Sequence, residues 1–86
     1  TLTVIHTPGH TPGSICLMAQ DYLFTGDTLL RRGIGTTLMP GSSRRQLVES
    51  IHTRLLCLND ETTVLPGHGK PTTIGYERKN NRYIVH

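Results

Sequence analysis

The chain has 86 residues, two cysteines and a formal net charge of +3. This length allows one small domain, or a piece of a larger one, and two cysteines exclude a disulfide-dense scaffold. No apolar run approaches the roughly 20 residues that span a bilayer, and no signal-peptide pattern opens the chain, so we expect a cytoplasmic protein with no membrane partner. Basic residues form no cluster longer than a pair, and the chain has only three tyrosines and one phenylalanine, which argues against a nucleic-acid partner.

Short β-prone runs separated by turns account for most of the predicted sheet. Residues 2–5 predict a strand, and two Pro-Gly steps in residues 7–14 predict a loop. Ile15–Ala19 is apolar throughout and predicts a buried strand. A turn and a second run at residues 22–24 complete a predicted hairpin. A later β-prone run at residues 62–65 predicts a further strand.

The most regular pattern lies in the middle of the chain. Residues 26–43 are rich in Gly, Thr and Ser without a clear period, and predict a loop. Ser43, followed three residues later by a glutamine, matches a capping box. Residues 74–80 predict a second, short helix. The main helix is predicted over about residues 43–59 from apolar residues on one face, namely Leu47, Val48, Ile51, Leu55 and Leu58.

One local pattern occurs three times along the chain. Each copy is a β-prone run, a turn, a glycine and then a side chain that is able to bind a metal: His10, Asp27 and His68. A glycine permits a backbone bend that a side chain would block, so we expect the three groups to project from strand ends onto one rim. Imidazole and carboxylate together favour zinc, iron or manganese over calcium. The alternative is that the histidines are ordinary loop residues and that the aspartate caps a turn.

The remaining histidines and both cysteines are weaker candidates. Pro8 and Gly9 lie between His6 and His10 and are incompatible with a regular helix, so the helical His-Glu-x-x-His zinc motif is excluded. His6 is interpreted as a polar residue at a strand end or as a hydrogen-bond partner of a ligand. His52 lies on the polar side of the predicted helix, and His86 is terminal. Cys16 and Cys57 are both predicted to be buried, unreactive thiols.

Three motifs and the C-terminal segment carry a resemblance to a known family. Residues 7–14 (TPGHTPGS), 23–29 (LFTGDTL), 64–69 (VLPGHG) and 71–81 resemble the second half of a metallo-β-lactamase-fold hydrolase, in particular the short glyoxalase II-like type. The resemblance implies an α/β (α+β) fold: the second half of an αββα sandwich, with a mostly antiparallel or mixed sheet and one main helix. It also implies that residues 1–86 are the C-terminal half of one domain.

The same resemblance implies a role for each candidate ligand. His10 would bind a first metal ion and His68 a second, and Asp27 would bridge both. The implied cofactor is a pair of zinc ions, with iron or manganese as alternatives, that share a hydroxide. By the same resemblance, the metal ions would supply a hydroxide able to attack the carbonyl group of a small-molecule ester or thioester. Three further residues are expected to form hydrogen bonds around the ligands, namely Thr11, Thr28 and His6.

The chain departs from the family at the remaining metal ligands. The His-x-His-x-Asp-His motif of the family's N-terminal half is absent. We therefore expect the isolated chain to bind metal weakly and to hydrolyse negligibly. We expect its partner to be the missing N-terminal half, or a second copy that covers an exposed sheet. Two alternatives are a non-catalytic half-fold that binds itself or a partner, and a mono-iron enzyme of the same fold that resembles the persulfide dioxygenases.

Overall fold

A mixed five-stranded sheet is the frame of residues 2–84, the part of the chain that the computed structural model describes. The strands in chain order are β1 (Leu2–His6), β2 (Ile15–Ala19), β3 (Tyr22–Gly26), β4 (Leu29–Leu30), β5 (Gly33–Ile34), β6 (Thr63–Pro66) and β7 (Thr72–Thr73). The helices are α1 (Arg44–Ser50), which continues into a π-helical segment (Ile51–Leu55), and α2 (Ile74–Asn80). The strand order in the sheet is β1-β2-β3-β6-β7, and β4 and β5 form a hairpin of their own.

The strand directions bring three strand ends to one edge of the sheet. β2 is antiparallel to both β1 and β3, whereas β3 and β6 are parallel neighbours. β1, β3 and β6 therefore run in the same direction. The crossover that a parallel pair requires contains α1 and the π-helical segment. The chain is thus a mixed α+β fold, as the resemblance implied.

Most of the predicted strands and the C-terminal helix are confirmed. The hairpin over residues 15–24 forms in antiparallel register. The first strand runs one residue further than predicted, to His6, and the late strand is shifted by one residue to Thr63–Pro66. α2 has the predicted bounds. Residues 85–86, which include His86, lie outside the described residues.

The predicted main helix is shorter than its 43–59 span. α-Helical geometry ends at Ser50, and in the π-helical turn the Leu56 N–H donates to the Ile51 carbonyl at 2.9 Å. The wider turn accommodates two consecutive core side chains, those of Leu55 and Leu56. No helix in residues 2–84 is long and apolar enough to cross a membrane. The predicted apolar face is confirmed, because Leu47, Ile51 and Leu55 are buried and Val48 and Leu58 pack against them.

The predicted loop over residues 26–43 contains the β4–β5 hairpin, in which Leu29 pairs with Ile34. The expectation of a plain loop was therefore wrong. Each of these strands has two residues, which is too short to show an alternation of apolar and polar residues. The same reason explains why β7 was not predicted.

The two faces of the sheet differ in how they are covered. One face packs against the helices and buries Cys16, Leu23 and Val64. The prediction that Ile15–Ala19 is a buried strand holds for Cys16, whereas Ile15 is 47% exposed. Among the described residues, the strand register places five exposed apolar side chains on the opposite face, which we call the open sheet face: Leu2, Val4, Ile15, Tyr22 and Phe24.

The two cysteines lie in opposite environments. Cys16 is buried in the core, and its Sγ lies 3.4 Å from the Thr7 hydroxyl. Burial raises the pKa of the Cys16 thiol, although hydrogen bonds with Thr7 and Thr28 act in the other direction. Cys57 is exposed. The prediction of two buried thiols is therefore confirmed for Cys16 and wrong for Cys57, which lies on the outer side of the chain just after the helical segment.

Gly9 sets how closely the 7–14 loop approaches α1. Its φ is +142°, and a Cβ at this position would overlap the backbone of Leu47. The Gly9 carbonyl accepts the N–H of Ser43 at 2.7 Å. The Ser43 hydroxyl in turn accepts the N–H of Gln46 at 3.2 Å, which is the predicted helix cap. A side chain at position 9 would separate the loop from the start of the helix.

We expect Gly9→Ala to lower the free energy of unfolding by about 2 kcal/mol, because overpacking a closed contact costs about 1–3 kcal/mol. The measurement is urea-induced unfolding. Gly13→Ala in the same loop is the matched control, since a Cβ there meets no atom within 4 Å. Equal stability of the two variants would contradict the tight packing at Gly9.

We expect a thiol reagent at neutral pH to modify Cys57 quickly and Cys16 only when the protein unfolds. The thiolate is the reactive form, and a raised pKa keeps the Cys16 thiol protonated at neutral pH. Peptide mass spectrometry after timed labelling measures both rates. Cys57→Ser should remove the fast reaction. Rapid labelling of Cys16 in the folded protein would contradict the burial of this thiol.

Candidate metal centre

The three predicted ligands lie at the shared edge formed by the C-terminal ends of β1, β3 and β6. His10 lies in the loop after β1, Asp27 directly follows β3, and His68 follows β6. Because these strands run in the same direction, each copy of the repeated motif delivers its side chain to the same edge. The recurrence in the sequence therefore has a topological reason.

Asp27 lies between two imidazole rings. Its Oδ1 accepts a hydrogen bond from Nδ1 of His68 at 2.7 Å. Its Oδ2 lies 3.8 Å from Nε2 of His10. The side chains of His10 and Asp27 are 23% and 39% exposed, and that of His68 is 77% exposed. Each carboxylate oxygen thus faces one ring, and the group opens to solvent on the His68 side.

A main-chain carbonyl orients the ring of His10. Its Nδ1 lies 2.7 Å from the carbonyl oxygen of Thr36. A carbonyl can only accept, so Nδ1 carries the proton and Nε2 of the neutral ring keeps its lone pair. In metal sites, a partner on one ring nitrogen commonly directs the other nitrogen towards the ion. Here the free nitrogen of His10 faces the carboxylate of Asp27.

The glycines before the ligands act in different ways. Gly26 has φ +53°, so the expected backbone bend is present directly before Asp27. Gly67 is needed because the two loops lie close together: a Cβ there would lie 3.3 Å from the carbonyl of Gly26. The N–H of Gly67 donates to that carbonyl at 2.8 Å. This bond ties the loop of His68 to the loop of Asp27.

The three residues predicted to surround the ligands brace the loops that carry them. In the part of the chain that is described, their hydrogen bonds go to neighbouring loop and strand-end residues and not to a ligand side chain. They therefore support the backbone on either side of His10 and Asp27. His6 Nε2 donates to the Pro12 carbonyl at 2.9 Å. The hydroxyls of Thr11 and Ser14 share a hydrogen bond at 2.7 Å, and those of Thr28 and Thr7 share one at 3.5 Å.

Sequence reasoning missed the segment that closes the site. Leu30, Gly35 and Thr36 line a cleft of about 230 Å³ together with the three candidate ligands. A Cβ at Gly35 would overlap the carbonyl of Asp27 and lie 3.0 Å from Nδ1 of His10. The available signal in the sequence was the Gly33-Ile34-Gly35 spacing, in which two glycines flank an apolar residue.

The donor set fits a borderline divalent cation. Two imidazoles and one carboxylate suit zinc, iron or manganese. The 3.8 Å between His10 and Asp27 is close to the roughly 3.4 Å between two ligands that each lie about 2.1 Å from one tetrahedral ion. The His68–Asp27 contact is a hydrogen bond. Within residues 2–84, no three His, Cys, Asp or Glu side chains close on one metal position.

Sequence comparison identifies the family of the chain. A family model described as the metallo-beta-lactamase superfamily matches residues 1–68. Similar curated proteins include the uncharacterized protein ML0493 of Mycobacterium leprae, which is 52% identical over 98% of this chain and 40% of its own length. Hydroxyacylglutathione hydrolase GloC of Haemophilus influenzae is 43% identical over 94% of this chain and 39% of its own length. The chain thus spans about two fifths of the length of these relatives.

Solved structures agree with this assignment. ETHE1 from Myxococcus xanthus is 41% identical, with a TM-score of 0.90 over 94% of this chain and 38% of that chain. The B3 metallo-beta-lactamase BLEG-1 is 41% identical, with a TM-score of 0.95 over 99% of this chain and 42% of that chain. The di-iron-bound form of TTHA1623 is 39% identical, with a TM-score of 0.91 over 95% of this chain and 42% of that chain. By sequence and by fold, this chain belongs to the metallo-beta-lactamase superfamily.

Proposed function

We propose that the chain is part of a metal-dependent, glyoxalase II-like hydrolase that cleaves an ester or thioester of a small molecule. The observation that carries this proposal is the position of Asp27 between the imidazoles of His10 and His68 at one sheet edge. The similarity to GloC of Haemophilus influenzae supports the glyoxalase II-like type.

In the proposed site, His10 holds one cation, His68 holds a second and Asp27 contributes one oxygen to each. Zinc is the proposed ion, and iron and manganese suit the same donors. When bound, such cations lower the pKa of water and polarise the carbonyl group of a substrate. The chain's own contribution is to fix the donors: the Thr36 carbonyl orients His10, and the charge of Asp27 offsets the repulsion between two cations.

The remaining ligands are proposed to come from the part of the longer protein outside this chain. The chain covers about two fifths of its relatives' length. It also lacks the His-x-His-x-Asp-His motif of the family's N-terminal half. If the ligands are divided in this way, this chain contributes only part of the coordination shell of the metal ions.

The open sheet face is proposed to be covered by the same missing part of the protein. Five large apolar side chains are exposed there, at 44–64%. A contiguous apolar face of this kind marks an interface. The relatives are more than twice as long as this chain, so the remaining part of such a protein can cover the open sheet face and a second copy is not required.

A mono-iron enzyme that resembles the persulfide dioxygenases is the second candidate. The similarity to ETHE1 of Myxococcus xanthus favours it, at 41% identity and a TM-score of 0.90. Metal analysis of the full-length gene product separates the two candidates, because the hydrolase requires two zinc-like ions per chain and the dioxygenase one iron. A full-length product that binds no metal would favour the non-catalytic half-fold.

In the full-length gene product, we expect Asp27→Asn and His68→Ala each to weaken Zn²⁺ binding. The loss should exceed the roughly 10–100-fold that removing an outer partner of a ligand costs. Thioester hydrolysis should fall in parallel. Competition with a chromophoric chelator measures the affinity. His52→Ala, at an exposed histidine outside the cleft, is the control, and equal losses in all three variants would contradict the assignment of the ligands.

The 86-residue chain alone is expected to bind Zn²⁺ weakly, to hydrolyse a thioester negligibly and to self-associate through the open sheet face. Sedimentation velocity measures the association, and Val4→Asp should reduce it. Leu38→Asp adds the same charge at a residue that is 92% exposed outside the sheet, and should leave the association unchanged. Turnover by the folded chain at the rate of the full-length protein would contradict the proposed division of the ligands.

A further inference from the structure

We propose that Glu77 and Asn81 are positioning residues for the candidate metal centre. In this arrangement α2 holds the β4–β5 hairpin, and the hairpin holds the carbonyl that orients His10. The inference rests on the proposed function and deepens it, because it gives the C-terminal helix a part in setting the geometry of the site.

Glu77 is a fully buried side chain surrounded by hydrogen-bond donors. Its Oε1 accepts from the Arg32 N–H at 2.8 Å and from Nδ2 of Asn81 at 2.9 Å. Its Oε2 accepts from the Thr72 hydroxyl at 2.7 Å. A carboxylate has acceptors only, so three donors are the partners it requires. Moving any of them would leave buried polar atoms unpaired, which is unfavourable.

The tip of the hairpin is attached to α2 and its C-terminal end at three successive residues. Arg32 has φ +59°, a conformation that is uncommon for a residue with a side chain, so this tip depends on the contacts that hold it. The contacts are the Arg31 guanidinium 5.4 Å from the centre of the Tyr76 ring, the Arg32 N–H on Glu77, and the Gly33 carbonyl accepting from Asn81 Nδ2 at 3.0 Å.

Both strands of the hairpin connect this tip to the metal centre. β4 begins two residues after Asp27, and β5 ends two residues before Thr36. At the junction, a Cβ on Gly35 would lie 3.0 Å from Nδ1 of His10. The hairpin therefore packs directly against the ring whose proton the Thr36 carbonyl accepts. A shift of the tip moves that acceptor.

Other contacts of α2 do not involve the hairpin, and they provide a matched control. Ile74 is buried in the core. Arg78 forms an ion pair with Asp60 at 2.9 Å and donates to the Leu56 carbonyl. Removing the Arg78 contacts loosens the same helix from a different neighbour. Positioning and simple support of the fold therefore predict different results.

The test uses the full-length gene product that contains this chain, with ¹⁵N-labelled histidine, first metal-free and then with Zn²⁺. In Glu77→Ala we expect the slowly exchanging Nδ1–H resonance of His10 to be lost and its tautomers to mix. Zn²⁺ affinity should fall about tenfold, the lower end of the effect of an outer partner. Glu77→Gln should restore both, because its amide oxygen accepts from Arg32 and Asn81 while its NH₂ donates to the Thr72 hydroxyl.

Two more variants complete the experiment. Arg78→Gln should lower the thermal stability and leave both the His10 resonance and the Zn²⁺ affinity unchanged. Asn81→Ala removes the bond to the Gly33 carbonyl and should reproduce the loss of the His10 signal, which provides the answer if Glu77→Ala does not fold.

A wild-type His10 resonance in folded Glu77→Ala or in Asn81→Ala overturns the proposal, and so does an equal loss in Arg78→Gln. Failure of the proposed function has a separate signature. If the wild-type protein binds no metal, the proposed function is wrong, and the His10 resonance of the metal-free variants alone decides whether Glu77 and Asn81 position the ring.

Discussion

The parallel pairing of β3 with β6 is the constraint on which the candidate site depends. The crossover through α1 returns the chain so that the C-terminal end of β6 lies beside that of β3, and β2 reverses the chain so that β1 has the same direction. Asp27 and His68 consequently leave neighbouring strands at one edge and approach to 2.7 Å. Sheets with parallel strands commonly form their sites at the carboxyl ends of those strands.

Features with a local signal in the sequence were predictable, and features that depend on distant contacts were not. The cap at Ser43 and the bounds of α2 follow from neighbouring residues. The three candidate ligands could be found because their motif recurs in the sequence. The acceptor for His10 is a main-chain carbonyl, which no residue type marks, and the two-residue strands that precede it are too short to show a period. The π-helical turn was not predicted because it depends on the packing of two consecutive leucines, Leu55 and Leu56, in the core.

Two features on different parts of the surface lack a covering or completing partner within residues 2–84. The open sheet face exposes Val4, Phe24 and their neighbours, and the metal centre provides only three candidate ligands. Under the proposed function, one missing part of the protein covers the first and completes the second. Folding of the sandwich and assembly of the metal shell are then coupled, because the same segment that covers the open sheet face also brings the remaining ligands to the metal centre. A domain this small gains much from such coupling, since its own core buries little surface.

The main-chain origin of the His10 acceptor has a consequence for which substitutions the candidate site tolerates. Thr36 lines the cleft, yet it is its backbone that fixes the imidazole. Under the proposed function, replacing this residue would change the wall that a substrate meets and keep the carbonyl in place. The substrate selectivity of the proposed enzyme could therefore change at position 36 without altering the orientation of the histidine.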